Sequence, residues 1–154
     1  MQVFIIGTPL ETAKVLDKKR LNRQIQEVKV ILDALNGAKA WSNHPCVLQY
    51  RGYEKWLWYY MSVLGEYYQI YHLDWLSNED EESLKPIMTH WNEKAIKYTP
   101  SFHTQEYFDQ MKRRLFEKDE EHYKQWSHLG KSDINWYWSH EKQEFIKYRN
   151  GKRI

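Results

Sequence analysis

Arg20, Arg23 and Glu27 stand three and four residues apart. In a helix that spacing sets two guanidinium groups and one carboxylate on a common face. Two chemistries fit the trio. In one, the arginines hold phosphate oxygens while Glu27 handles a proton or steadies a developing cation. In the other, Arg23 and Glu27 form an ordinary exposed ion pair, worth about 0.3–0.5 kcal/mol. Spacing alone leaves both open.

The element that must position them is read from its apolar side. Leu21, Ile25, Val28, Leu32 and Leu35 recur at i, i+4, i+7, i+11 and i+14. At about 100° per residue they gather into one narrow stripe, and the trio falls on a different arc. The pattern predicts a helix over roughly 20–35, closed by Asn36-Gly37, which tolerate the left-handed conformation of a C-terminal cap. Ahead of it, Thr8-Pro9 reads as a cap followed by proline in the first turn, predicting a short helix over 9–16. The run VFIIG, residues 3–7, is by type either a short strand or an apolar segment inserted into a helical core.

Behind the central helix, Asn43-His44-Pro45 opens another, with Asn43 sufficient as its cap. Its pattern continues to the region of Trp75, with a bend expected at Gly52 or Gly65. Val47, Leu57, Met61, Leu64 and Tyr68 supply its apolar face, widened by Trp56, Tyr60, Tyr67 and Tyr71. The acidic run 77–82 (SNEDEE) suits a loop or a helix N-terminus and belongs away from any phosphate-binding face. Pro86 is expected to start a short helix toward Lys97, and residues 98–101 to form a linker. A helix over 104–118 carries Tyr107, Met111 and Leu115 inward and Lys112, Arg113 and Arg114 outward. From Asp119 onward regular periodicity fades, and the aromatic tail is expected to wrap the helices as loops and short turns.

With 154 residues and 42% hydrophobic content, one domain spanning 1–154 with a genuine core is expected. Its class is mainly α, a compact single-domain helical bundle with an irregular aromatic-rich C-terminal tail. Most of the eight tryptophans and twelve tyrosines must serve packing. A formal charge of only +2 excludes a globally basic binder, so any nucleic-acid affinity comes from local clusters of Lys and Arg. The single cysteine, Cys46, makes no internal disulfide and reads as a small buried hydrophobe in a reducing compartment. VFIIG is far too short for a signal-peptide core or a membrane span, so a cytoplasmic location is expected. Seven histidines and one cysteine show no HExxH, CxxC or His-x₃-His arrangement, so no metal is expected. There is no Gly-rich phosphate loop and no GxSxG elbow.

LDKKRL followed by RQIQEVKVILDAL, then W-x-NHP and YRGYE, resembles the signature of the pyrimidine-dimer DNA glycosylase family, the phage endonuclease V type. The chain looks most similar to a bacterial branch with an LDxxRLxxQ…E…IL helix, an NHP turn and a WRGY-like segment. The similarity continues through KRRLFEKDEEHY and the WYW tail. The resemblance implies a mainly helical enzyme that cuts the glycosidic bond of a damaged pyrimidine, by family default a cyclobutane dimer. It then nicks the strand as an AP lyase.

The nucleophile implied by the resemblance is the chain's own α-amine, here that of Met1, which attacks the sugar C1′ and forms an imine. An α-amine titrates at about 8, so part of it is neutral at working pH, unlike a lysine at about 10.4. Family members with a processed N-terminus expose a small residue, whereas Gln2 here hinders removal of Met1. The nucleophile is therefore the Met1 amine, another group such as Lys14 or Lys19, or absent. Glu27 aligns with the family's helix glutamate and is the implied catalytic carboxylate. Arg20, Arg23 and Arg51 are the expected phosphate ligands. Lys112, Arg113 and Arg114 are either a second basic cluster or a solvated helix face. His44 resembles a family position and either contacts phosphate or caps its helix. Tyr53, Trp136 and Trp138 are candidates for lining the pocket of a distorted or flipped base. This mechanism requires no cofactor. The expected partner is double-stranded DNA carrying a damaged or modified base, bound by a monomer and without a membrane. Two other readings stay open: a glycosylase for another modified pyrimidine, and a non-catalytic DNA- or protein-binding helical module. The helix-hairpin-helix glycosylase pattern is missing.

Overall fold

The computed structural model describes residues 1–73, 78–130, 133–139 and 141–154, and for residues 78–81 and 137 the backbone alone. Helix α1 (Pro9–Val15) opens on a reciprocal cap: Thr8 Oγ1 accepts the Glu11 N–H (3.1 Å), and the Glu11 carboxylate accepts the Thr8 N–H (3.2 Å). Asp17 then caps α2 (Lys18–Leu35) by accepting the Arg20 N–H (3.3 Å). Leu21, Val28 and Leu32 of the apolar stripe are buried, with Ile25 and Leu35 half-buried at its margins. The helix ends at Asn36, and Gly37 follows at φ +106°, a left-handed conformation that suits glycine.

The long helix expected from Pro45 is two helices, α3 (Pro45–Gln49) and α4 (Glu54–His72). The break falls at Gly52, whose φ of +90° no helix accommodates, while Gly65 lies within unbroken α4. The expected extension to Trp75 lies outside the described residues. Trp56, Leu57, Tyr60 and Leu64 of α4 are buried, Met61, Tyr67 and Tyr68 are half-buried, and Tyr71 is exposed. Burial of one such Leu stabilises by roughly 1.5–3 kcal/mol. Helix α4 is the hub, packing against α1, α2 and α5.

Pro86 does not start a helix. It lies inside α5 (Asn78–Lys97), whose first turn is formed by the acidic run from Asn78; Ser77 lies outside the described residues. An interior proline costs about 3 kcal/mol, so helix packing must offset it. Met88 is buried against Val63 and Ile70 of α4. Trp91 stacks on Tyr59 and donates its Nε1–H to Glu66 (2.9 Å). Helix α6 (Gln105–Lys118) follows a Thr104 cap and buries Tyr107, Met111 and Leu115 as expected. Among the described residues, no helix is long and apolar enough to cross a membrane.

The bundle is mainly α, as read from the sequence, but its tail is not a set of loops. After a 3₁₀ turn over Lys124–Leu129, strands β1 (Ile134–Ser139), β2 (Glu144–Arg149) and β3 (Lys152–Arg153) form an antiparallel meander. Trp136 pairs with Lys147, and Trp138 with Phe145. Asn150 (φ 51°) and Gly151 (φ 76°) make the two-residue turn between β2 and β3. Asn-Gly favours this turn because both central residues must adopt positive φ.

Candidate active-site cleft

The site is built on the N-terminal segment, an apolar insertion and not a strand: Val3, Phe4 and Ile5 are buried. An extended chain inside a helical core needs partners for its backbone polar groups. Gln24, buried at 1% exposure, supplies them from the middle of the α2 stripe. Its Oε1 accepts the Phe4 N–H and the Tyr60 hydroxyl (3.1 Å), and its Nε2 donates to the Gln2 carbonyl (2.9 Å). The Tyr60 hydroxyl also donates to the Phe4 carbonyl, and Thr12 Oγ1 accepts the Ile6 N–H (3.1 Å). The segment is clamped on both edges, which leaves Met1 half-buried at its end.

The same Gln24 Nε2 reaches Glu27 Oε2 at 3.4 Å. Glu27 Oε1 accepts Arg23 Nε–H at 3.3 Å, with side-chain exposures of 22% for Glu27 and 73% for Arg23. One amide therefore joins the N-terminal backbone to the glutamate. Two hollows border these residues. The first, of about 170 Å³, has Met1–Val3 on one side and the start of α3 on another. It is completed by Tyr107, Met111 and Arg114 of α6, and by Trp136, Trp138 and Phe145 of the sheet. The second, of about 240 Å³, is lined by Phe4, Arg20, Arg23, Gln24, Glu27 and Lys118.

His44 stands at the first hollow as the cap of α3: its Nδ1 accepts the Cys46 N–H (3.1 Å). With Nδ1 accepting, the neutral ring carries its proton on Nε2. Burial first, and then the Met1 amine, hold the His44 imidazole below its ordinary range. Burial pushes the Cys46 thiol up to about 12; the Met1 amine opposes this and Glu27 adds to it.

Several expected site residues converge. Met1, His44, Arg114, Trp136 and Trp138 line the first hollow, and Arg20, Arg23 and Glu27 the second. Arg20 is heavily engaged, with Asp17 at 3.1 Å, Asp119 at 3.7 Å and the Lys118 carbonyl at 3.3 Å. It joins the start of α2 to the end of α6. Arg51 is exposed beside Gly52 and lines neither hollow. Tyr53 also lines neither; its hydroxyl is 3.2 Å from Ser101 Oγ and its ring meets Phe102 edge-on. Arg113 donates to the Leu129 carbonyl (3.1 Å), and Lys112 lies 3.8 Å from Asp109. Lys14 and Lys19 are exposed, Lys19 beside Arg20 and Arg23 on α2. Among the described residues no three His, Cys, Asp or Glu side chains group to hold a metal.

Gln24 is the residue whose part sequence reasoning missed. The signal was there: it lies three residues after Leu21 and four before Val28, so it interrupts the apolar stripe. A glutamine so placed must be satisfied inside the core. For His44 the expected cap was Asn43, whereas the imidazole itself does the capping.

The family model for pyrimidine dimer DNA glycosylase matches residues 1–70. No curated protein and no solved structure is significantly similar to the chain. The matched stretch holds the N-terminal segment, α1, α2, α3 and most of α4, while α6 and the sheet lie beyond it. The matched residues include Met1, Gln24, Glu27 and His44, so over its first 70 residues the chain is similar to the pyrimidine dimer DNA glycosylase family.

Proposed function

We propose that the protein is a DNA glycosylase with AP lyase activity that excises a damaged pyrimidine, a cyclobutane dimer in the first instance, from duplex DNA. The observation that carries this reading is the double attachment of Gln24, to the Gln2 carbonyl and to Glu27. It fixes the end of the chain beside a cleft and a carboxylate one turn along the same helix.

In this mechanism the neutral Met1 amine attacks the sugar C1′. The glycosidic electron pair goes to the pyrimidine, which takes up a proton and stays joined through the cyclobutane to its neighbour on the strand. Opening of the sugar ring and loss of a proton from nitrogen give the imine, and removal of a C2′ proton then expels the 3′ phosphate. Glu27 is the group that handles these protons and steadies the cationic species. Lys19 and Arg23, exposed on α2, grip the backbone, with Arg114 at the cleft and Arg51 farther out. Arg20 contributes mainly by holding α2 against α6. No step requires a cofactor.

The test is Glu27→Gln under single-turnover conditions on a dimer-containing duplex. Cleavage of the glycosidic bond, read as free thymine after photoreversal of the dimer, should fall about a hundredfold or more, while DNA affinity and its salt dependence stay within twofold of the parent. Unchanged cleavage would remove Glu27 from the chemistry.

A further inference from the structure

The connection between α2 and α3, residues 37–43, carries one cation, Lys39, and no Asp or Glu. Trp41 stands in it 56% exposed, although so large an aromatic ring ordinarily finds cover. Its backbone is held at φ +64°, in the left-handed region that glycine and asparagine enter easily and a bulky residue does not. Two other non-glycine residues among those described share this region, Gln143 and Asn150. Both lie in the connections of the β meander, where tight turns call for positive φ. Trp41 lies in no hairpin. Its carbonyl accepts the His44 N–H (2.9 Å), a tie that glycine would make at lower conformational cost.

Position gives the ring its use. The Trp41 ring meets the His44 imidazole edge-on, with centroids 5.8 Å apart and planes at 71°. His44 in turn lines the first hollow together with Met1. An exposed indole and a strained backbone therefore coincide at the rim of the cleft, and strain of this kind gathers at functional sites.

We propose that Trp41 is a positioning residue that stacks on DNA. Its indole enters the base stack at the lesion and fills the gap left by the nucleotide drawn toward the cleft. Taking a nucleotide out of the stack forfeits its stacking, and an aromatic face inserted there restores part of it whatever the neighbouring base. A loop without carboxylates approaches the phosphates unopposed. The ring already stands in solvent, held by its turn, which lessens the ordering to be done on binding. The proposal takes its partner from the glycosylase reading above, but it does not depend on which bond is cut.

The experiment measures equilibrium binding to two duplexes of one sequence. One is intact; the other carries a tetrahydrofuran abasic analogue, which leaves a gap in the stack and cannot form an imine. The parent should prefer the abasic duplex about fivefold or more. Trp41→Ala should abolish most of that preference while changing affinity for the intact duplex less than about twofold. Trp41→Phe keeps a ring and should keep about half of the preference or more. Trp41→Gly relieves the left-handed strain and should melt at about the parent's temperature, yet lose the preference as Ala does. Because the preference is a ratio internal to each variant, partial loss of folded protein cancels. A parent without preference, a preference that Ala and Gly leave intact, or a loss in Phe as complete as in Ala would overturn the proposal. Borohydride trapping of the parent on a natural abasic site keeps the two readings apart: its failure with the preference intact contradicts the lyase step, not the stacking of Trp41.

Discussion

At the scale of single residues, the site depends on a glutamine that does no chemistry. Gln24→Ala would strip partners from the Phe4 N–H and the Gln2 carbonyl at once, while the Tyr60 hydroxyl keeps the Phe4 carbonyl. The expected cost is about 2–4 kcal/mol, measured by urea denaturation, and imine trapping should slow even where the variant remains folded. A loss of stability below about 1 kcal/mol would mean that the clamp is replaceable. The trio of Arg20, Arg23 and Glu27 was legible from helical spacing, and the structure keeps both of its readings: Arg23 and Glu27 do form an i,i+4 contact, and Glu27 also borders a hollow. The engagement of Arg20 was not legible, because its partners Asp119 and Lys118 lie about a hundred residues away in sequence and no local pattern encodes them.

At the scale of elements, caps and turns decide where the site residues stand. His44 both caps α3 and borders the cleft, so its two parts can be separated by substitution. His44→Asn keeps a good capping side chain and should change stability by less than about 0.5 kcal/mol, whereas His44→Ala should cost about 1 kcal/mol. Thermal denaturation reads the difference, and equal stability of the two would deny the cap. Helices α1, α2 and α6 were readable because cap, apolar stripe and terminator agreed. Helix α5 was misread because proline is a strong local signal that α4 packing overrides. The sheet was misread for a different reason. Aromatic crowding hid the alternation, although Asn150-Gly151 between basic and aromatic residues was a hairpin mark in plain view.

At the scale of the molecule, the half-buried His103 ties stability to pH. Burial lowers the His103 imidazole to about 3, where it sits against Tyr50 (2.9 Å) and stacks on Tyr107. The unfolded chain takes up this proton near pH 6.5, and the folded chain refuses it until far lower. Stability is therefore complete above about pH 6.5 and falls as pH drops, by about 2 kcal/mol at pH 5. Asp17 acts in the same direction at lower pH: burial raises it, but the Tyr123 hydroxyl and Arg20 outweigh burial and leave it lowered. Its contribution is present above about pH 3.8 and is lost as pH falls through the folded value. His103→Phe should flatten the decline between pH 7 and 5 in denaturation curves, and an undiminished slope would place the titration elsewhere.

The family match ends at residue 70, yet the first hollow is closed by α6 and the sheet. The first part of the chain carries the clamped N-terminal segment and Glu27; the rest supplies Arg114, Trp136 and Trp138 to the lining of the first hollow. Joining the two is the central claim, and it is tested most directly by borohydride trapping. The substrates are duplex oligonucleotides with an abasic site or a thymine dimer, and the adduct is mapped by mass. The expected result is a covalent adduct on the Met1 amine that N-terminal acetylation abolishes. An adduct on a lysine, or none while the DNA still binds, would contradict it.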